Sequence, residues 1–137
     1  MPIEAADETI IVAENDAMMR GLLRTMLEQP GRTLLLAHDG MEAVELAEQT
    51  LATLVLLDLR MPRMDGIEAC AQIRELPRYS RVPIAILTVF NGEALRRRAL
   101  RAGASLFLSK PFSRKKLLDE LNPLIQNYKR GKELERY

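Results

Sequence analysis

Cysteine is nearly missing: the one thiol among 137 residues is Cys70, so no disulfide can close within the chain. Set in a helical pattern, Cys70 reads as a buried small hydrophobe and not as a reactive group. Tryptophan is absent and aromatics amount to 4%. No aromatic side chain is interleaved among the C-terminal arginines, which argues against a surface for single-stranded nucleic acid. No apolar run is long enough to cross a bilayer. The opening MPIEAADE is acidic and lacks the basic-then-apolar order of a signal peptide. These absences set the expectation of a soluble, cytoplasmic protein with no membrane partner and no direct contact with nucleic acid.

What is present is enough chain for one domain, with 47% hydrophobic and 28% charged residues. The net charge of +1 conceals an uneven spread. Residues 1–90 hold 8 Lys/Arg against 14 Asp/Glu, or −6, and residues 91–137 hold 12 against 5, or +7. The basic part includes Arg96, Arg97, Arg98, Arg101, Arg114, Lys115 and Lys116. Such a surface could serve an acidic partner, but solvated helix faces are the plainer reading.

Short apolar runs alternate with amphipathic stretches. The runs Thr9–Ala13, Thr33–Ala37, Leu54–Leu57, Val82–Thr88 and Ser105–Leu108 have the length and composition of fully buried strands. Between the first two, Met19, Leu22, Leu23, Met26 and Leu27 repeat at helical spacing until Pro30-Gly31, and the methionines read as core. Val44, Ala47 and Leu51 mark a second helix. Ile67, Cys70 and Ile73 mark a third, and Leu95, Ala99 and Ala102 a fourth. Leu117, Leu118, Leu121, Leu124, Ile125 and Tyr128 mark a fifth. Five βα units in a row predict a single-domain α/β fold, a doubly wound parallel sheet with helices on both faces. Pro123 falls inside the fifth pattern. That helix either bends there or ends near Leu121 and restarts with Asn122 as cap. The domain is expected over residues 8–128, with the charged segment 129–137 a frayed end or linker stub.

Ligands of a doubly wound sheet bind outside the carboxyl ends of its strands. Glu14, Asn15 and Asp16 follow the first run, His38 and Asp39 the second, and Asp58 the third. The fourth ends with Thr88, and Ser109, Lys110 and Pro111 follow the fifth. Asp58 is a candidate nucleophile for an acyl phosphate. Oxygen donors on neighbouring strand ends suit Mg2+. A lysine and a hydroxyl can hold the remaining phosphoryl oxygens. Singly, such residues are as often helix caps or surface groups, and Asp16 and Asp65-Gly66 read that way. The convergence carries the weight.

The stretches IIVAEND (10–16), LVLLDLRMPRMDG (54–66), AILTV (85–89) and GASLFLSKPF (103–112) resemble the receiver domain of two-component response regulators. The resemblance covers about residues 8–128 and implies a flavodoxin-like strand order, 2-1-3-4-5. It implies that Asp58 accepts phosphate from a histidine kinase, a phosphotransfer protein or a small phosphodonor. Mg2+ would be held by Asp58, by the backbone carbonyl of Arg60 and by the pair Glu14 and Asn15, the second directly and the first mostly through water. Thr88 would hydrogen-bond one phosphoryl oxygen and Lys110 would pair with another. Lys110-Pro111 would be cis. Phe107 matches the aromatic switch position, and it reads equally well as a plain core aromatic. Thr88 and Phe107 would bias the surface made by helix 4, strand 5 and helix 5. The output partner is a docking protein or a segment outside this chain.

Three positions depart from the family's pattern. Asn15 stands where an aspartate is usual, so the formal charge of the site is −1 instead of −2, which weakens Mg2+ binding without abolishing it. Val89 stands where a smaller residue is usual, and is expected to narrow access to Asp58 and slow dephosphorylation. Ser105-Leu106 replace the acids of a dimer interface known in transcriptional regulators. Leu106 then joins another partner surface or packs under helix 4. One rival reading is a degenerate receiver that binds partners without phosphorylation. Another is a phosphatase of the haloacid dehalogenase type, but Arg60, two residues after Asp58, cannot act as a general acid. A nucleotide-binding Rossmann domain lacks its Gly-rich loop after the first strand. The expectation is a phosphoacceptor, not an enzyme.

Overall fold

A computed structural model describes residues 8–135. Strands β1 (Glu8–Ala13), β2 (Arg32–Ala37), β3 (Leu54–Asp58), β4 (Ile84–Thr88) and β5 (Leu106–Ser109) form one parallel sheet in the order β2-β1-β3-β4-β5. Helices α1 (Ala17–Leu27), α2 (Gly40–Gln49), α3 (Gly66–Arg74), α4 (Glu93–Arg101) and α5 (Arg114–Glu135) follow the strands in turn, with one 3₁₀ turn at Pro77–Tyr79. This is the flavodoxin-like order expected from the sequence.

Alternate strand residues feed two cores, as the two-residue period of a strand requires. Ile11, Val55, Leu57, Ile86 and Phe107 join Ala43, Cys70, Ile73 and Ala99 on the α2–α3–α4 side. Ile10, Val12, Leu54, Leu56 and Leu87 join Leu23, Leu27, Leu117, Leu121 and Ile125 on the α1–α5 side. Strands β3 and β4 are buried along their whole length, which explains their unbroken apolar runs. Each fully buried aliphatic side chain there contributes about 1.5–3 kcal/mol.

The structure corrects several expectations. Strand β2 is an edge strand, so Thr33 is exposed and Leu34, Leu35 and Leu36 are only half-buried. Leu22, one of the residues whose spacing marks α1, is 46% exposed. Strand β4 begins at Ile84, because Pro83 just before it has no N–H for a ladder. Leu106 packs with the α1–α5 core, not under α4. Helix α5 does not end near Leu121, the second of the two expected alternatives, but is one helix with Pro123 inside it, through residue 135. Among the described residues no helix is long and apolar enough to cross a membrane.

Candidate functional site

Four strand ends meet at the carboxyl edge of the sheet. Glu14 follows β1, Asp58 ends β3, Thr88 ends β4 and Lys110 follows β5. Glu14 is 2%, Asp58 6% and Thr88 2% exposed. The Lys110 ammonium reaches across from β5, with Nζ 2.6 Å from Asp58 Oδ1 and 3.1 Å from Glu14 Oε1. The Lys110 N–H also donates to the Thr88 carbonyl at 2.7 Å, and the Lys110-Pro111 bond is cis.

The helices and loops around this edge are pinned by short-range chemistry. Asp16 caps α1 by accepting from the Met19 N–H at 2.8 Å. Asp65 and Glu68 form a reciprocal capping box at the start of α3. Gly66 is required there, since a Cβ would stand 2.4 Å from the Asp58 carbonyl oxygen. Arg63, at a positive φ of 67°, donates from Nε to Asp39 Oδ2 at 2.8 Å, fastening the β3–α3 loop to the cap of α2.

Two carboxylates thus share one ammonium. Burial pushes the Asp58 carboxyl above its ordinary value, and the Glu14 charge adds to this; Lys110 and the Arg60 N–H oppose it without reversing it. For Lys110, burial works against the charged form, but the ion pairs with Asp58 and Glu14 outweigh it and hold the ammonium charged. Cys70 is fully buried, its thiol pushed up to about 11 by desolvation, in keeping with a packing role.

Not every residue singled out in the sequence joins this cluster. Asn15 is next to it in the chain and exposed. The Thr88 hydroxyl accepts from the Phe90 N–H at 2.9 Å. Phe107 is 7% exposed within the α4-side core. Val89 is 64% exposed. His38 pairs with Glu42 and Asp39 with Arg63, and neither touches Asp58. The Arg60 guanidinium lies over the Phe90 ring, 4.5 Å from its centroid. That contact and the Arg63–Asp39 pair escaped sequence reasoning. Phe90 gave the one available sign, an aromatic beyond a strand end and outside any core pattern.

Among the described residues no three His, Cys, Asp or Glu side chains group as a metal site. The site brings together two carboxylates, Glu14 and Asp58, and Asn15 and Arg60 adjoin them in the chain. Carboxylates are hard oxygen donors, which fits Mg2+ and not a metal that prefers thiolate or imidazole.

On this sheet order a buried strand-end aspartate pairs with a lysine just after the last strand, the layout of a receiver-type signalling domain. The family model "Response regulator receiver domain" matches residues 10–122, and the chain belongs to that family. It is 38% identical over 120 residues to the response regulator MprA of Mycobacterium ulcerans, covering 88% of this chain and 51% of the relative. It is 40% identical over 124 residues to the transcriptional regulatory protein PdtaR of Mycobacterium tuberculosis, covering 89% and 57%. The chain therefore spans about half the length of these two relatives. A 14.6 kDa uncharacterized protein of Leptolyngbya boryana is 37% identical, covering 90% of this chain and 91% of its own. The receiver domain of a sensor histidine kinase of Pseudomonas aeruginosa, with magnesium coordinated in its active site cleft, is 32% identical with a TM-score of 0.80, covering 88% of this chain and 98% of that one. Receiver domains of this family are phosphoacceptor switches, so the chain is a signalling domain and not an enzyme acting on a separate substrate.

Proposed function

We propose that Asp58 accepts a phosphoryl group from a histidine kinase, a phosphotransfer protein or a small phosphodonor. A carboxylate oxygen of Asp58 attacks phosphorus, the bond from phosphorus to the donor's nitrogen or oxygen breaks, and an acyl phosphate forms. The carrying observation is the buried Asp58 carboxylate, 2.6 Å from Lys110 Nζ and sharing that ammonium with Glu14. Lys110 would follow an incoming phosphoryl oxygen and neutralise part of its charge. Thr88 would bring its hydroxyl to another oxygen. Asp58, Asn15, Glu14 and the Arg60 carbonyl would hold Mg2+. When bound, Mg2+ supplies positive charge for the phosphoryl oxygens.

The same reading sends the signal through Thr88 and Phe107 to the surface of α4, β5 and α5, toward an output protein or domain. It takes residues 8–128 as the receiver and 129–137 as tail or linker, although α5 crosses that boundary without a break. It includes a cytoplasmic location and no direct binding of nucleic acid. A second reading, a receiver that binds partners without phosphorylation, is favoured by Asn15 in place of an acid.

The test is intact-mass measurement after incubation with acetyl phosphate and Mg2+. The wild type should gain one phosphoryl group and Asp58→Ala none. Asn15→Asp should bind Mg2+ more tightly and gain the group faster; identical Mg2+ titrations would sink the role given to Asn15. No gain in the wild type or in Asn15→Asp would leave the phosphorylation-independent reading. Slower decay of phosphorylated wild type than of Val89→Ala is expected if Val89 restricts access.

A further inference from the structure

Thr88 and Asp58 are joined at rest by a path that leaves their own side chains apart. Arg60 follows Asp58 by two residues, and its N–H is among the groups that favour the charged Asp58 carboxylate. The Arg60 guanidinium stacks on the Phe90 ring at 4.5 Å. The Phe90 N–H donates to Thr88 Oγ1 at 2.9 Å. No hydrogen bond among the described residues links the Thr88 hydroxyl to Asp58 or Lys110 side chains.

We propose that Arg60 and Phe90 form a clasp that holds the Thr88 hydroxyl in its resting place, and that the two are positioning residues for phosphoryl acceptance. The proposal rests on the phosphoacceptor reading of Asp58. Three features single out this contact as the tether of the β4–α4 loop. Phe90 belongs to neither core and is 44% exposed, so burial does not place its ring. Val89 beside it is 64% exposed. Gly92 begins α4 without a side-chain cap. The guanidinium is the partner the structure supplies for that ring, and a cation over an aromatic face is attractive even near water.

The consequence is mechanical. For Thr88 to reach a phosphoryl oxygen, its hydroxyl must leave the Phe90 N–H, and the backbone of residue 90 must yield. The stack resists that movement and is lost when it occurs. An exposed cation–π contact corresponds to about a two- to fivefold bias in such an equilibrium. Opening the clasp should therefore speed phosphoryl uptake by that factor.

The experiment compares wild type, Phe90→Leu, Arg60→Ala, the double variant and Phe90→Tyr. The first readout is amide hydrogen exchange at residue 90 in metal-free, unphosphorylated protein, which needs no phosphorylation chemistry. The second is the rate of phosphoryl uptake from acetyl phosphate with Mg2+. Phe90→Leu and Arg60→Ala should each speed both about two- to fivefold, and the double variant should add nothing to either, as in a cycle for one shared contact. Phe90→Tyr keeps the ring face and should behave as wild type. Unchanged exchange in the single variants, or additive effects in the double variant, would overturn the clasp. Faster exchange with unchanged uptake would overturn its positioning role. Faster exchange with no uptake in any protein, wild type included, would keep the clasp and instead overturn the reading of Asp58.

Discussion

At the amino end of the sheet, Glu8 of β1 meets Arg32 of β2 and Lys129 of α5; at the carboxyl end, Lys110 meets Glu14 and Asp58. The distances are alike: 2.8 Å from Arg32 Nη2 and 2.9 Å from Lys129 Nζ to the Glu8 carboxylate, 3.1 and 2.6 Å from Lys110 to its two partners. The charge count is reversed. One carboxylate faces two cations at the first site, and two carboxylates face one cation at the second. Burial raises the Glu8 carboxyl, but the bonds and charges of Lys129 and Arg32 win and hold it below its ordinary value. Asp58 is held above its own. The amino-end cluster is complete and ties three elements together. The carboxyl-end cluster is short of positive charge, which suits a site that awaits a cation and an electrophile.

The comparison breaks most visibly at Arg32. Its side chain is 2% exposed and also donates to the Leu27 carbonyl. Arg32→Met strands a buried carboxylate with one lysine, and should cost about 3 kcal/mol by urea unfolding. A cost near zero would mean that Lys129 alone satisfies Glu8. Lys110→Met leaves Glu14 and Asp58 facing each other without their cation. It should cost about 2 kcal/mol and push the Asp58 carboxyl further up, read from a carboxyl-carbon NMR titration. Asp58→Asn should act with the opposite sign, since it removes a buried charge and its repulsion with Glu14 while Lys110 keeps Glu14. A gain on the order of 1 kcal/mol is expected in the same unfolding experiment. A loss would show that the Asp58–Lys110 pair outweighs the burial it requires.

How much of this was legible in the sequence follows from the range of each signal. The unbroken runs of β3 and β4 are legible because both faces of a central parallel strand are covered. Asp58 and Lys110, 52 residues apart, could be joined because the topology brings every strand's carboxyl end to one edge. No such rule joins Glu8 to Lys129, 121 residues apart; Arg60 and Phe90 follow neighbouring strand ends, but their side chains lie outside any apolar pattern that would pair them. Local propensity left Pro123 open between a continued helix and a break. Proline costs a helix about 3 kcal/mol, but Leu117 and Leu121 before it and Ile125 after it are all buried, at about 1.5–3 kcal/mol each. Their shared face keeps α5 whole. The charged segment after residue 128 lacks an apolar pattern, yet Lys129 anchors its first turn to Glu8.

The smallest effect is the most specific to the contrast, because the two clusters must respond to acid with opposite signs. Glu8 has a folded-state value below its ordinary 4.5. Its stabilising contribution is whole above that pH and is lost as pH falls through the lower, folded value. Asp58 has a folded-state value above its ordinary 3.8. Its ionised form is disfavoured by folding, so it detracts from stability at neutral pH. That penalty is relieved as pH falls through the raised value and is gone below 3.8. Acidification should therefore remove the stability gain of Asp58→Asn before pH 3.8 is reached. The deficit of Arg32→Met should begin to shrink when Glu8 takes up its proton in the variant, and should vanish only after Glu8 of the wild type is protonated, below 4.5. Urea unfolding of the three proteins across the acid range would show both changes, each on the order of 1 kcal/mol. If the gain of Asp58→Asn persisted below 3.8, or the deficit of Arg32→Met were already gone at 4.5, the contrast between a satisfied cluster and an unsatisfied one would fail.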